Sequence, residues 1–210
     1  MNIILHQPEI PANTGNIGRT CVATGTSLHL IEPLGFRLNE KEIKRAGMDY
    51  WEHLDVHRYV NFAEFQAKHP EAKIWMATTK AKHTYTDVQF GPDDYIMFGK
   101  ESAGNPEEIL VEHEDTCIRI PMLPAIRSLN LSNSVAIVLY EALRQQGFES
   151  MQMEGELHHL HWKEYGVYDK TKDQFISQRF DHSIYTVNHF LCLYADKRNY
   201  TLCAEPERIQ

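Results

Sequence analysis

Hydroxyl and amide side chains cluster from Ser128 to Asn133, immediately before an apolar run that begins at Val135. The apolar residues of that run recur at helical spacing, so the polar cluster is predicted to lie at a helix N-terminus. Ser132 or Asn133 can cap such a helix. The first turn of a helix also offers unpaired backbone N–H groups to a ligand. This stretch alone is equally compatible with a helix cap and with a ligand-binding loop.

A second polar segment, Pro8–Arg19, follows the first apolar strand and leads into a predicted helix that runs to about Gly25. Asn13 or Thr14 is a plausible cap for this helix. Arg19 is predicted to lie on its first turns, near the end of the strand. The preceding loop is built of small and amide residues, which favours a functional role for Arg19 over an ordinary surface position.

Short apolar strands alternate with Gly- or amide-containing loops and helices. The predicted strands are Met1–Leu5, Leu28–Ile31, Val56–Val60, Lys73–Ala77, Tyr95–Phe98 and Cys117–Ile120. The further predicted helices are Asn39–Ala46, Phe62–Lys68 and Asn105–Leu110. This alternation predicts an α/β fold with a parallel sheet flanked by helices. Ligands of such sheets bind outside the carboxyl ends of the strands, so we expect the site at the loops after Ala77, Phe98 and Ile120.

Composition places the chain among ordinary globular proteins, with 210 residues and 42% hydrophobic residues. The length predicts one domain with an appendage, or two small domains. No apolar run is long enough to span a membrane, and the four cysteines show no CxxC spacing. We therefore expect a cytoplasmic protein with reduced thiols. Neither GxGxxG nor a P-loop is present, which disfavours a nicotinamide or nucleotide enzyme.

The formal net charge of −8 argues against a broadly basic nucleic-acid binder but permits a local basic face. Candidate basic clusters are Lys41, Lys44 and Arg45; Lys80, Lys82 and His83; and Arg19 with Arg127 if the fold brings them together.

The tail from about Glu149 has poor apolar periodicity, with a strand or a helix predicted only at Ile184–Tyr194. His158, His159 and His161 could bind a metal ion, but the neighbouring sequence supplies no ligand pair at zinc-site spacing. We interpret them as a chance cluster and expect no metal.

Three segments together resemble the SPOUT superfamily of RNA methyltransferases, and within it the small tRNA 2′-O-methyltransferases that modify the wobble nucleotide. They are PEIPANTGNIGRTC (Pro8–Cys21), FGKESAG (Phe98–Gly104) and IPMLPAIRSLNLSNSVAIVLYEALRQ (Ile120–Gln145), with further similarity at His29–Phe36 and Arg45–Glu52. The resemblance covers Met1 to Gly147. It implies a methyltransferase domain at residues 1–148 and leaves 149–210 as a C-terminal extension of unknown role.

The resemblance implies a parallel sheet whose C-terminal part forms a deep trefoil knot, a feature that general folding rules would not propose. It also implies a homodimer that acts on the tRNA anticodon stem-loop with S-adenosyl-L-methionine bound in the knot. By position, the expected cofactor contacts are Ala77, Gly99, Ile120, Ser128 and Leu129, with Asn130 adjacent.

Arg19 matches the arginine that the family is proposed to use on the ribose 2′-hydroxyl from the partner subunit. An arginine is hardly ever deprotonated, so Arg19 would either orient the hydroxyl and phosphate or act through phosphate-assisted proton removal. Ser128 and Asn130 are expected to bind the cofactor or the substrate ribose. Asn13 would shape the loop of the first motif, and Glu101 matches the glutamate of the second.

One departure is Ala103, where many close relatives carry an arginine, and its loss puts details of RNA binding in doubt. Two alternatives remain open: a SPOUT enzyme that methylates ribosomal RNA, and an RNA-binding relative that has lost catalysis.

Overall fold

The computed structural model describes residues 1–37, 49–160, 165–169, 174–177 and 200–204. Residue contacts divide the chain into two compact units, Met1–Met151 and Gln152–Gln210. Three predicted features lie outside the described residues: the helix at Asn39–Ala46, the basic cluster within it, and the segment Ile184–Tyr194.

The first unit contains a seven-stranded parallel sheet. Its strands are β1 (Asn2–His6), β2 (Ser27–Ile31), β3 (Val56–Tyr59), β4 (Ile74–Ala77), β5 (His83–Thr84), β6 (Tyr95–Phe98) and β7 (Cys117–Arg119). Their spatial order is β3-β2-β1-β6-β4-β7-β5. The parallel α/β class is confirmed, and β4 lies between β6 and β7, so the carboxyl ends of these three strands adjoin. β5 was not predicted, because two residues are too few to show a hydrophobic period.

Helices cover both faces of this sheet. They are α1 (Pro11–Thr24), α2 (Phe62–Lys68), α3 (Glu107–Val111) and α4 (Leu131–Gln145), with short 3₁₀ turns at Asp49–His53 and Glu114–Thr116. Along β1, Leu5 packs with Ile17 of α1 and Leu139 of α4, whereas Ile4 packs with Phe65 of α2 on the other face. Successive strand residues point to opposite faces, which explains why these strands are apolar at nearly every position.

The predicted cap of α1 was wrong. The helix begins at Pro11 and its N-cap is Ile10, which makes no side-chain cap. Proline is well suited to the first helical position because it has no N–H to leave unpaired. Asn13 and Thr14 therefore lie inside the helix, where both are buried. Arg19 is exposed in the middle of α1 rather than on its first turns.

The predicted cap of α4 was also wrong, by two or three residues. Asn130 is the N-cap, and its Oδ1 accepts hydrogen bonds from the backbone N–H groups of Ser132 at 2.9 Å and Asn133 at 3.3 Å. An Asn cap of this kind is worth about 0.5–2 kcal/mol relative to alanine.

The second unit contains a three-stranded antiparallel sheet, in the order β10-β8-β9. Its strands are β8 (Tyr165–Asp169), β9 (Gln174–Ser177) and β10 (Tyr200–Ala204). None of these three short strands was predicted, because they carry little hydrophobic periodicity. In the described part of the chain, no helix is both long and apolar enough to cross a membrane.

A buried chain of rings connects the sheet to the end of α2. Tyr59 Oη lies 3.0 Å from His29 Nδ1 and 2.8 Å from His69 Nε2. The chain continues from His69 Nδ1 to Tyr95 Oη at 3.3 Å, and from His29 Nε2 to Asn2 Oδ1 at 3.4 Å. With both histidines neutral, every one of these bonds has one donor and one acceptor. A proton added to either ring would break that match inside the core.

These hydrogen-bonded rings predict that the protein loses stability in mild acid. Burial, followed by the nearby His57 and His69, lowers the pKa of His29 from 6.5 to about 4. The unfolded state then binds more protons, so the stabilisation is complete above pH 6.5 and is lost as the pH falls towards 4. A shift of this size corresponds to about 3 kcal/mol of unfolding free energy.

Urea unfolding at pH 7 and pH 4 measures this loss, and His29→Phe should reduce it by about that amount. The matched control is His83→Gln, which removes an exposed histidine of β5. An equal acid loss in the wild type and His29→Phe would contradict the role of His29.

Candidate active site

A cavity of about 610 Å³ opens at the adjoining carboxyl ends of β4, β6 and β7. Its volume lies within the range of small-molecule sites. Four segments form most of the wall: residues 77–80, 98–104, 118–120 and 127–131. The N-cap Ile10, Asn13 of α1, Met122, Ser134 and Val138 complete it. The three loops that were predicted to share one edge of the sheet therefore meet in one cavity.

A hydrogen-bonded chain joins the three polar segments around this cavity. The Glu101 carboxylate accepts from Asn13 Nδ2 at 3.0 Å, and Asn13 Oδ1 accepts from Asn130 Nδ2 at 3.0 Å. A carboxylate only accepts, so it fixes the amide of Asn13, which in turn fixes the amide of Asn130. Asn130 Oδ1 is thereby directed to the N–H groups at the start of α4. Glu101 thus determines the orientation of a side chain 29 positions away in the sequence.

Two glutamates exchange hydrogen bonds between the loop before α1 and the loop after β6. Glu101 accepts from the backbone N–H groups of Glu9 at 2.8 Å and Ile10 at 3.3 Å. In return, Glu9 accepts from Ser102 N at 2.9 Å and Ser102 Oγ at 2.8 Å. The bonds from Ser102 lower the pKa of Glu9. Glu101 therefore fixes the backbone that leads into α1.

Gly99 begins the loop after β6, and the loop folds back on it. A Cβ at this position would lie 2.1 Å from Asn105 N and from the carbonyl carbon of Gly104. The backbone reverses through Gly104, which has a φ of 74°. Both glycines are required for the chain to pass this closely beside the cavity.

The matched regions of known proteins coincide with the unit that contains the cavity. Residues 1–140 match the model of the SpoU rRNA Methylase family. The chain belongs to the SpoU methylase family. It is 48% identical over 148 residues to a tRNA (cytidine(34)-2′-O)-methyltransferase of Saccharophagus degradans, covering 70% of this chain and 96% of the relative.

The fold of this SpoU methylase is also similar to that of two solved structures. One concerns 2-OH methylation of C/U34 on tRNA and is 41% identical, with a TM-score of 0.66 over 70% of this chain and 97% of that chain. The other is an AdoMet-bound rRNA methyltransferase from Sinorhizobium meliloti, 25% identical, with a TM-score of 0.61 over 68% of this chain and 55% of that chain.

The structure brings most of the expected site residues of this SpoU methylase into the wall of the cavity. They are Ala77, Gly99, Ile120, Ser128, Leu129 and Asn130, with Asn13 and Glu101 beside them. Arg19 is the exception, since it does not line the cavity of its own chain. Of the predicted basic cluster of Arg19 and Arg127, only Arg127 lines this cavity.

The cavity wall carries more positive than negative charge, although the whole chain is acidic. Lys100, Arg119 and Arg127 line it, and none of them forms an ion pair with another described residue. Lys80 also lines it, but is paired with Glu107 of α3. Lys100 and Arg119 were missed in the sequence because single basic residues at strand ends give no pattern.

Proposed function

We propose that this SpoU methylase transfers a methyl group from S-adenosyl-L-methionine to the ribose 2′-hydroxyl of the wobble nucleotide of tRNA, a cytidine or a modified uridine. The observation that carries the proposal is the series of hydrogen bonds Glu101–Asn13–Asn130, which joins α1 to two loops around one cavity. The relative at 48% identity, a tRNA (cytidine(34)-2′-O)-methyltransferase, supports the choice of substrate.

The cavity has the size and chemistry to hold S-adenosyl-L-methionine. A volume of about 610 Å³ accommodates a ligand of this size. Its wall combines apolar side chains such as Ile120 and Leu129 with the Ser128 hydroxyl and the backbone at Ala77 and Gly99. We assign these five residues to the cofactor, and the AdoMet-bound relative supports the choice of that cofactor.

When bound, the cofactor supplies a methyl group on a sulfonium, and the sulfur leaves as a neutral thioether. The chain therefore contributes mainly positioning. Ser128 and Asn130 would hold the ribose and the reacting groups at the mouth of the cavity. Asn13 and Glu101 hold Asn130 in place, because the orientation of each amide depends on the next.

Arg19 requires a second copy of the chain in this proposal. It is absent from the cavity wall of its own subunit, so a homodimer would place it beside the partner's cavity. Exposed apolar residues of α4, Ile137 at 37% and Tyr140 at 43%, provide a surface for such a contact. The Arg19 guanidinium stays protonated, so it would orient the hydroxyl and phosphate or assist proton loss through the phosphate.

The remaining parts of the proposal follow from membership of the family. Residues 1–148 would form the methyltransferase domain, with α4 in a deep trefoil knot, and 149–210 a C-terminal extension of unknown role. The enzyme would act in the cytoplasm, on the anticodon stem-loop.

Methyl transfer in vitro tests the proposal directly. We expect incorporation into an anticodon stem-loop that carries cytidine 34, and none into the same RNA with 2′-deoxycytidine at that position. Transfer to a ribosomal RNA fragment instead would identify the alternative substrate. RNA binding without transfer to any RNA would identify a relative that has lost catalysis.

The basic residues of the cavity wall predict salt-dependent RNA binding. Each lost phosphate contact should lower the slope of log K against log salt by about 0.7–0.9. We expect this change for Arg127→Ala and for Lys100→Ala in a binding titration. Lys82→Ala is the matched control, since Lys82 is exposed, paired with Glu114 and outside the cavity wall. A wild-type RNA affinity that does not change with salt concentration would contradict the phosphate contacts.

A further inference from the structure

Asn105 ties together two of the strand ends on which the cavity is built. Its side chain is only 3% exposed. Nδ2 donates to the carbonyl of Ala77 at 3.1 Å and to the carbonyl of Met97 at 3.2 Å. These carbonyls belong to β4 and β6, whose last paired residues are Ala77 and Phe98. One amide thus bridges the two strands at the end of their ladder.

The orientation of this amide is set by its partners. An amide oxygen cannot donate, so the nitrogen must face the two carbonyls. Oδ1 of Asn105 is then buried, and no partner for it is found among the described residues. An unsatisfied buried acceptor opposes folding. The contribution of Asn105 therefore lies in the two bonds that it donates.

The backbone of Asn105 also supports the opposite wall of the cavity. It closes the loop that starts at Gly99, where only a glycine leaves room for Asn105 N. Gly104 N donates to Lys100 O at 2.9 Å within the same loop. One residue is thus in contact with both walls, although it does not itself line the cavity.

We propose that Asn105 is a positioning residue for cofactor binding, which sets the separation between the wall at residues 77–80 and the wall at 98–104. This inference rests on the proposed placement of S-adenosyl-L-methionine in this cavity. Asn105 does not itself line the cavity, so it would act on a bound cofactor only through the position of these two walls.

Asn105→Asp tests the inference because it keeps the shape and replaces the donor by an acceptor. We expect the Kd of the full-length protein for S-adenosyl-L-methionine, measured by calorimetry, to rise by about tenfold or more, since small displacements of a binding group have effects of this order. KM for the cofactor should rise in parallel, while kcat at saturating cofactor changes by less than about twofold.

Asn61→Asp is the matched control. Asn61 is the N-cap of α2, where its Oδ1 accepts from Glu64 N at 2.8 Å, and aspartate caps a helix equally well. The same change of charge should therefore leave cofactor affinity unaltered. If Asn105→Asp does not fold, Asn105→Ser retains one donor and is measured instead.

An Asn105 variant that lowers Tm but keeps the cofactor Kd would show a purely structural residue and overturn the inference. Ser128→Tyr, which fills the exposed mouth of the cavity, separates this failure from a failure of the proposed site. If Ser128→Tyr weakens cofactor binding and the Asn105 variants do not, only the role of Asn105 is overturned. If Ser128→Tyr also has no effect, the cofactor binds elsewhere and both proposals fall.

Discussion

Arg19→Ala is expected to reduce the turnover of methyl transfer by about 10²–10⁴-fold, the range typical for loss of a group that acts on the reacting atoms. Cofactor affinity should be unchanged, because the residues assigned to the cofactor do not include Arg19. Single-turnover methylation and calorimetry measure the two quantities. Arg58→Ala is the matched control, since it removes an exposed arginine of β3 that pairs with Glu32. Full activity of Arg19→Ala would exclude Arg19 from the reaction.

The position of Arg19 outside its own cavity makes its action in trans testable by mixing subunits. An Arg19→Ala subunit retains an intact cavity, and a Glu101→Gln subunit retains an intact Arg19. If the chain forms the proposed homodimer, a dimer with one subunit of each kind contains one complete site, so random exchange of the two impaired variants should restore about a quarter of wild-type activity. Activity that stays at the level of the separate variants would contradict catalysis across the dimer interface.

Glu101→Gln is expected to lower turnover by about 10–100-fold, because a displacement of about 1 Å at a reacting group has effects of this size. The carboxylate accepts from Glu9 N, Ile10 N and Asn13 Nδ2. Glutamine has one acceptor oxygen, and its amide would face one of these donors. Whichever donor the amide faces, the two N–H groups repel and the side chain is displaced, which weakens the bond that fixes Asn13 and, through it, Asn130. Steady-state kinetics with the anticodon stem-loop measure the effect.

Glu112→Gln provides the control for Glu101→Gln. Glu112 is exposed at the end of α3 and lies outside the cavity wall, so removing its charge should leave turnover unchanged. Wild-type turnover in Glu101→Gln would show that the chain of amides does not control the reacting groups. It would leave Glu101 with the role of fixing the backbone that leads into α1.

The sheet and the position of the cavity could be predicted because strand and loop signals are local. Apolar runs ending at Ala77, Phe98 and Ile120 predict strand ends, and the parallel class places those ends at one edge. The bonds within the site could not be predicted in this way. Asn13 bonds to Glu101, which is 88 positions away, and to Asn130, which is 117 positions away. No short sequence window contains both partners of either bond.

Other features were hidden because a stronger local pattern explained the same residues. Asn105 precedes Pro106 and resembles an ordinary helix start, although its side chain bonds to two strand ends. The sequence does not distinguish Asn130 as the cap, because Ser132 and Asn133 are equally good caps by type. The cap was decided by where the helix begins, at Leu131, and that depends on Asn13 holding Asn130 in place.

Nucleoside mass spectrometry of total tRNA, from cells with and without this gene, tests the central claim most directly. We predict that 2′-O-methylated wobble nucleosides disappear in the deletion strain, return with the wild-type gene and do not return with Arg19→Ala. An unchanged nucleoside profile in the deletion strain would contradict the assignment of tRNA as the substrate.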